Sequence, residues 1–148
     1  MNRRELLLGA ASLAAAATAS SAFAVVDSGH EHHHHHASNP NQLLIDAASD
    51  CIQRGQICLS HCLELLSQGD KEMGDCARSV NQMLAVCTAV QQLASQNSKY
   101  LPALAKIAGE ACRDCEDACK KHADKHEECK ACRDACAACA KECRKISA

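Results

Sequence analysis

From residue 40 onward, apolar and cysteine positions recur every three or four residues, with charged and amide side chains between them. That period stacks side chains on one face of an α-helix. Four such stretches follow one another. The first is predicted from Asn39-Pro40, a cap residue followed by proline, to Ser67, with Leu44, Ala48, Cys51, Gly55, Cys58, Cys62 and Leu65 on its inner stripe. The second runs from Lys71 to Ser95, through Met73, Cys76, Val80, Met83, Cys87, Val90 and Ala94. The third covers Leu101 to Lys121, with Leu104, Ala108, Cys112, Cys115, Cys119 and His122 inward. The fourth covers Lys125 to Ile146, with Cys129, Cys132, Cys136, Cys139, Cys143 and Ile146 inward.

Gly69-Asp70 reads as a stop and a new cap, Ser95 to Lys99 as a polar turn, and Asp124 with Glu127 as a capping box. The stripe runs unbroken through Cys119, His122, His126 and Cys129, so one long helix is an alternative there. A turn at Lys120 to Lys125 is preferred, because two hairpins then close over every thiol. The fold class is therefore all-α, an antiparallel four-helix bundle with cysteines lining its core. Each helix is a rod of roughly 30–40 Å at about 1.5 Å per residue. No alternating strand pattern of consequence appears.

The residues before position 40 read differently. Arg3-Arg4 precede an Ala-rich run to Ala19, and Ala22-Phe23-Ala24 is an A-x-A cleavage pattern. Residues 1–24 are thus expected to be a twin-arginine signal peptide, placing the protein in the periplasm or another extracytoplasmic compartment. A chance arginine pair before an uncleaved anchor is the alternative. The run is too short to span a bilayer, and no membrane association is expected once it is removed. Residues 25–39 carry His30, Glu31 and His32 to His36 without apolar periodicity, and are expected to be a disordered leader. The histidine run is open to reading as a tag or as a weak metal trap.

Composition narrows the chemistry. The formal net charge is −2, and no basic patch with interleaved aromatics points to nucleic acid. With one Tyr, one Phe and no Trp, the core must be built from aliphatic side chains and the thirteen cysteines. A few buried cysteines serve as small hydrophobes; thirteen in place of Leu and Phe do not fit that reading. A disulfide framework is opposed by the odd count and by helical spacing. Cβ atoms at i,i+3 or i,i+4 lie about 5–6 Å apart, whereas a disulfide wants roughly 3.5–4.5 Å. Bonds between helices stay open.

A thiol-lined helical core suits a soft metal. Three pairs are C-x-x-C: Cys112/Cys115, Cys129/Cys132 and Cys136/Cys139. Zinc with four thiolates leaves a doubly negative centre that is costly to bury. Cu(I) with one thiolate is neutral and accepts low coordination numbers, so one ion can bridge neighbouring cysteines on a helix. The ceiling is about one Cu(I) per thiol, making multiple copper ions the expected cargo. Cys132-x3-Cys136-x2-Cys139 matches an iron–sulfur string of radical enzymes, yet it sits on a helix without a substrate apparatus. A thioredoxin-like redox role lacks its βαβ context. No triad joins His61, His122 or His126 to Ser or Asp, so no enzyme is expected; these histidines are either stripe-edge residues or ligands at a bundle end. Met83 reads as core packing.

These residues resemble the bacterial copper storage proteins over positions 40–146. The most specific parts are Cys58-x3-Cys62 with His61, Cys112-x2-Cys115-x3-Cys119, and the run Cys129 to Cys143. The resemblance implies a homotetramer of bundles holding many Cu(I) ions as a reserve for copper enzymes. It also implies an open end of His and Met residues where copper enters, a role that His61 and Met73 fit, although Leu65 and Gln68 stand where further methionines would be expected. The signal aligns the chain with the exported branch of that family; its cytosolic branch lacks a signal and has more cysteines. The alternative function is a copper chaperone or sensor holding one or two ions. More distant is an iron–sulfur or redox protein.

Overall fold

A computed structural model describes residues 39–147. They form four helices: α1 (Gln42–Ser67), α2 (Met73–Ser95), α3 (Leu101–Lys120) and α4 (Glu127–Ser147). No strand occurs among the described residues. Each helix packs on its two neighbours in a closed ring, α1 on α2, α2 on α3, α3 on α4 and α4 back on α1. Short connections make neighbours antiparallel.

Each turn has a local cause. Gly69 sits at φ 96°, a conformation that glycine adopts without Cβ strain. Around it the Asp70 N–H bonds to the Leu65 carbonyl at 3.0 Å and the Gly69 N–H to that of Leu66 at 3.0 Å, a Schellman motif. Asn97 repeats the device at φ 49°, with Ser98 N–H to the Leu93 carbonyl at 3.0 Å and Asn97 N–H to that of Ala94 at 3.2 Å. In the third turn the His122 carbonyl accepts from both Lys125 and His126 N–H at 3.0 Å. No glycine or proline forces that break. It follows from burial: folding α4 back on α3 covers both cysteine stripes, and Ala123 is tucked in at the bend.

Several helix starts shift. The helix α1 begins at Gln42, two residues past Pro40. Asn39 does not cap it directly; its Oδ1 accepts from Asn41 N–H at 2.8 Å, and its Nδ2 donates to the Ala94 carbonyl at 3.2 Å. Thus the start of α1 is tied to the end of α2. The helix α2 begins at Met73 rather than Lys71, after a turn in which Asp70 Oδ1 accepts from Glu72 N–H. The helix α4 begins at Glu127, leaving Asp124 in the turn instead of at the cap.

All thirteen cysteines have zero solvent exposure. No polar or charged residue is buried among the described residues. Leu65, Leu104, His122 and Ile146, expected inward, are only half-buried. Leu101 and Ala105 take the inner positions near the start of α3, where Leu104 is turned to the rim.

Candidate metal centre

The sulfur atoms converge from all four helices. Cys51, Cys87, Cys112 and Cys139 bring four Sγ atoms within 4.8 Å of one another, as do Cys58, Cys62, Cys76 and Cys129. Two groups of three, Cys58/Cys119/Cys132 and Cys115/Cys132/Cys136, meet the same limit. Cys58 and Cys132 each belong to two groups, so the sets overlap. Individual contacts continue the line: Cys76 to Cys119 at 3.5 Å, Cys115 to Cys132 at 3.9 Å, and Cys51 to Cys136 at 3.6 Å. Cys87 meets Cys112 at 3.4 Å and reaches diagonally to Cys139 at 4.0 Å. Cys143 lies beyond the four groups, with Cys139 as its hydrogen-bonding neighbour. Every thiol is free, so the interhelical disulfides left open by the sequence do not form.

Thiol–thiol hydrogen bonds divide this set by acidity. Bonds with Cys119 first, then Cys129 and others, hold the proton of Cys58 far above the ordinary thiol range. Bonds with Cys112 and Cys115 do the same for Cys136. Conversely, Cys136 stabilises the thiolate of Cys112, lowering it to about 6, and Cys112 stabilises that of Cys139, lowering it to about 5. Cys119 acts likewise on Cys76, and Cys115 on Cys132.

His61 stands at the rim of this region. Its Nε2 is 2.9 Å from His126 Nδ1 and 3.7 Å from a Glu128 carboxylate oxygen. One ring nitrogen donates and the other accepts. Met73, expected to share a mouth with His61, is instead fully buried at the start of α2. The partner of His61 that the sequence argument did not single out is His126, one turn before Cys129. Met83 is also more than filler: its Sδ accepts from the Cys51 thiol at 3.3 Å. The signal for that contact was Gly55, which leaves room on α1 opposite Met83.

A buried array of this kind suits monovalent copper. Each Cu(I) that replaces a thiol proton leaves the charge unchanged, which a low-dielectric core requires. The profile of the copper storage protein family matches residues 37–148.

The chain belongs to the copper storage protein family.

Solved members share its fold. Apo copper storage protein 3 from Bacillus subtilis is 28% identical, covers 73% of this chain and 99% of its own, and superposes with a TM-score of 0.64. Its Cu(I)-bound form gives a TM-score of 0.67 at 27% identity, over 73% of this chain and 98% of that one. A cytosolic copper storage protein from Streptomyces lividans, solved with five coppers, is 27% identical with a TM-score of 0.66, over 72% of this chain and 91% of that one. A further relative, the cysteine-rich protein YhjQ of Bacillus subtilis strain 168, is 27% identical over 73% of this chain and 96% of its own length.

The Streptomyces relative corrects one expectation. It is a cytosolic protein, and the extracytoplasmic location inferred from Arg3-Arg4 and the Ala-rich run is withdrawn. Those residues form a short pattern that carries no information from the bundle itself. The segment 1–24 and residues 25–38, including His32 to His36, lie outside the described residues.

Proposed function

We propose that residues 40–148 form the copper-binding domain, and that its thirteen cysteines are the ligands of a multi-ion Cu(I) store. The observation that carries this reading is the overlap of the sulfur groups at Cys58 and Cys132. A single shared centre would leave the other groups without purpose. A chaperone or sensor would expose a thiol for transfer to a partner, whereas every cysteine here is buried. That observation favours storage over the one- or two-ion alternative.

His61 serves in this reading as an outer ligand, with His126 beside it, and Met73 as a sulfur donor inside the same end of the bundle. No enzymatic role is needed. The store supplies copper enzymes, and the bundle works as a homotetramer. Exposed Leu43, Ile57, Leu63 and Tyr100 support contacts between copies, because they leave apolar area on the outside of the bundle. No described helix is long and apolar enough to cross a membrane.

Titration of the fully reduced protein with Cu(I) against a competing chelator tests the reading. Saturation near one ion per thiol is expected. Saturation at one or two ions per chain overturns storage.

A further inference from the structure

The helix α2 contributes two cysteines to the core, Cys76 and Cys87, whereas α1 and α3 contribute three each and α4 five. Between its two cysteines the inward positions are Val80 and Met83, both with zero exposure. The side chain of Met83 crosses to α1, where its Sδ stands 3.3 Å from Cys51 Sγ. Cys51 itself is 3.6 Å from Cys136 and belongs to the group with Cys87, Cys112 and Cys139. Met83 therefore continues the sulfur line of α2 at the place where that helix lacks a thiol.

The opposite wall is cut to fit it. A Cβ on Gly55 would lie 2.6 Å from Met83 Cε. Glycine at a helix interior costs about 1 kcal/mol against alanine, so its position directly against the Met83 methyl has a physical counterpart: it admits the longer side chain. A leucine would fill volume but offer no donor atom. A thioether is a soft ligand that carries no proton and no charge. It can add a donor without adding to the negative charge of the core.

We infer that Met83 is an interior thioether ligand, sharing with Cys51 a Cu(I) ion held in the middle of the bundle. This inference rests on the copper-storage reading. On binding, Cu(I) displaces the Cys51 proton, which leaves with solvent, and no electron is transferred. The charge at the site is the same before and after, and Met83 donates a sulfur lone pair.

Selenomethionine labelling tests this directly, since the chain has three methionines, Met1, Met73 and Met83. X-ray absorption at the selenium edge, measured on the full chain loaded with Cu(I), is expected to show a selenium–copper scattering path. That path should persist in Met73→Leu, where Met83 is the remaining methionine of the bundle, and vanish when Met83→Leu is added to Met73→Leu. A fully loaded Met73→Leu protein without the path, or a path that survives in the Met73→Leu/Met83→Leu double variant, overturns the inference while leaving storage intact. Loading of only one or two ions overturns both. Met73→Leu keeps Met83 in place, so the result does not depend on how well the Met83→Leu core folds.

Discussion

The two ends of the bundle are built from different materials. Where α1 starts and α2 ends, the core is mostly hydrocarbon: Leu44, Ala48, Val90, Ala94, Leu101 and Ala105, with Cys143 as its sulfur. Where α1 ends and α4 starts, it is Cys58, Cys62, Cys76, Cys119 and Cys129, with Met73 as the fully buried long apolar side chain and Leu65 and Leu66 packed at its edge. The first end stabilises the fold by removing hydrocarbon from water, at about 1.5–3 kcal/mol for a fully buried Leu or Val. The second end buries sulfur that hydrogen-bonds weakly to itself. A helical scaffold can thus be anchored at one end and left chemically adjustable at the other. The fold then does not depend wholly on cargo, and cargo adds stability where the apolar core is thinnest.

Copper loading should break the difference most visibly. In reduced apo-protein, backbone amides around Cys58, Cys76 and Cys119 should exchange with solvent faster than those around Ala48, Val90 and Ala105. Loading should erase the gap and raise the melting temperature, because a ligand that binds only the folded state stabilises by about 4 kcal/mol at a thousandfold excess over its Kd. Hydrogen exchange followed by mass spectrometry measures both. Equal protection of the two ends before loading would contradict the division.

Truncation at the aliphatic end should hurt the fold and spare the cargo. Leu44 is 2% exposed, and Leu44→Ala leaves a cavity that costs about 2–5 kcal/mol. Urea denaturation of reduced apo-protein should register that loss, while the number of Cu(I) ions bound by surviving folded protein stays the same. A fall in capacity would mean that the aliphatic end is coupled to the metal-binding end.

Substitution within the sulfur line should do the reverse, and unequally. Cys58 serves two sulfur groups, whereas Cys143 lies outside all four. Cys58→Ser should therefore lower Cu(I) capacity more than Cys143→Ser does. Both place a hydroxyl in the core at a cost of about 1–3 kcal/mol if it goes unpaired. Chelator titration of the two variants side by side gives the comparison, and equal losses would show that the shared position has no special weight.

Much of this organisation was legible in the residue spacing, because a period near 3.6 fixes a helix face regardless of what it packs against. All thirteen cysteines fell on inward faces, and the preferred turn near Lys120 to Lys125 lies within a residue of the observed one. What spacing could not deliver was the partner across the bundle. By spacing Met83 is an ordinary apolar stripe residue, yet Cys51 stands against its sulfur, and His61, expected to meet Met73 across the Gly69 turn, has His126 of the opposite turn as its hydrogen-bonding neighbour. Rotation of a helix by a fraction of a turn decides such contacts. That rotation depends on side-chain fit with two neighbours at once, as the exchange of Leu104 for Leu101 and Ala105 at the start of α3 illustrates.

The smallest effect should come from the boundary between the two regions. Gly55→Ala sets two opposed terms against each other. Alanine favours the α1 helix by about 1 kcal/mol. Its methyl would meet Met83 Cε at 2.6 Å and Leu84 Cδ2 at 2.9 Å, and overpacking of that kind costs about 1–3 kcal/mol. Met83 can swing its terminal methyl aside, which holds the cost to the lower part of that range but pulls Sδ away from Cys51. The net expectation in apo-protein is a destabilisation of about 1 kcal/mol or less. In a Met83→Ala background the clash with Cε is gone, the half-buried Leu84 can turn its Cδ2 into the space vacated, and the same Gly55→Ala change should turn stabilising through helix propensity. A double-mutant cycle in urea measures that change of sign. If Gly55→Ala has the same effect in both backgrounds, the glycine is not there to admit Met83, and the middle of the bundle belongs with the aliphatic end rather than with the sulfur line.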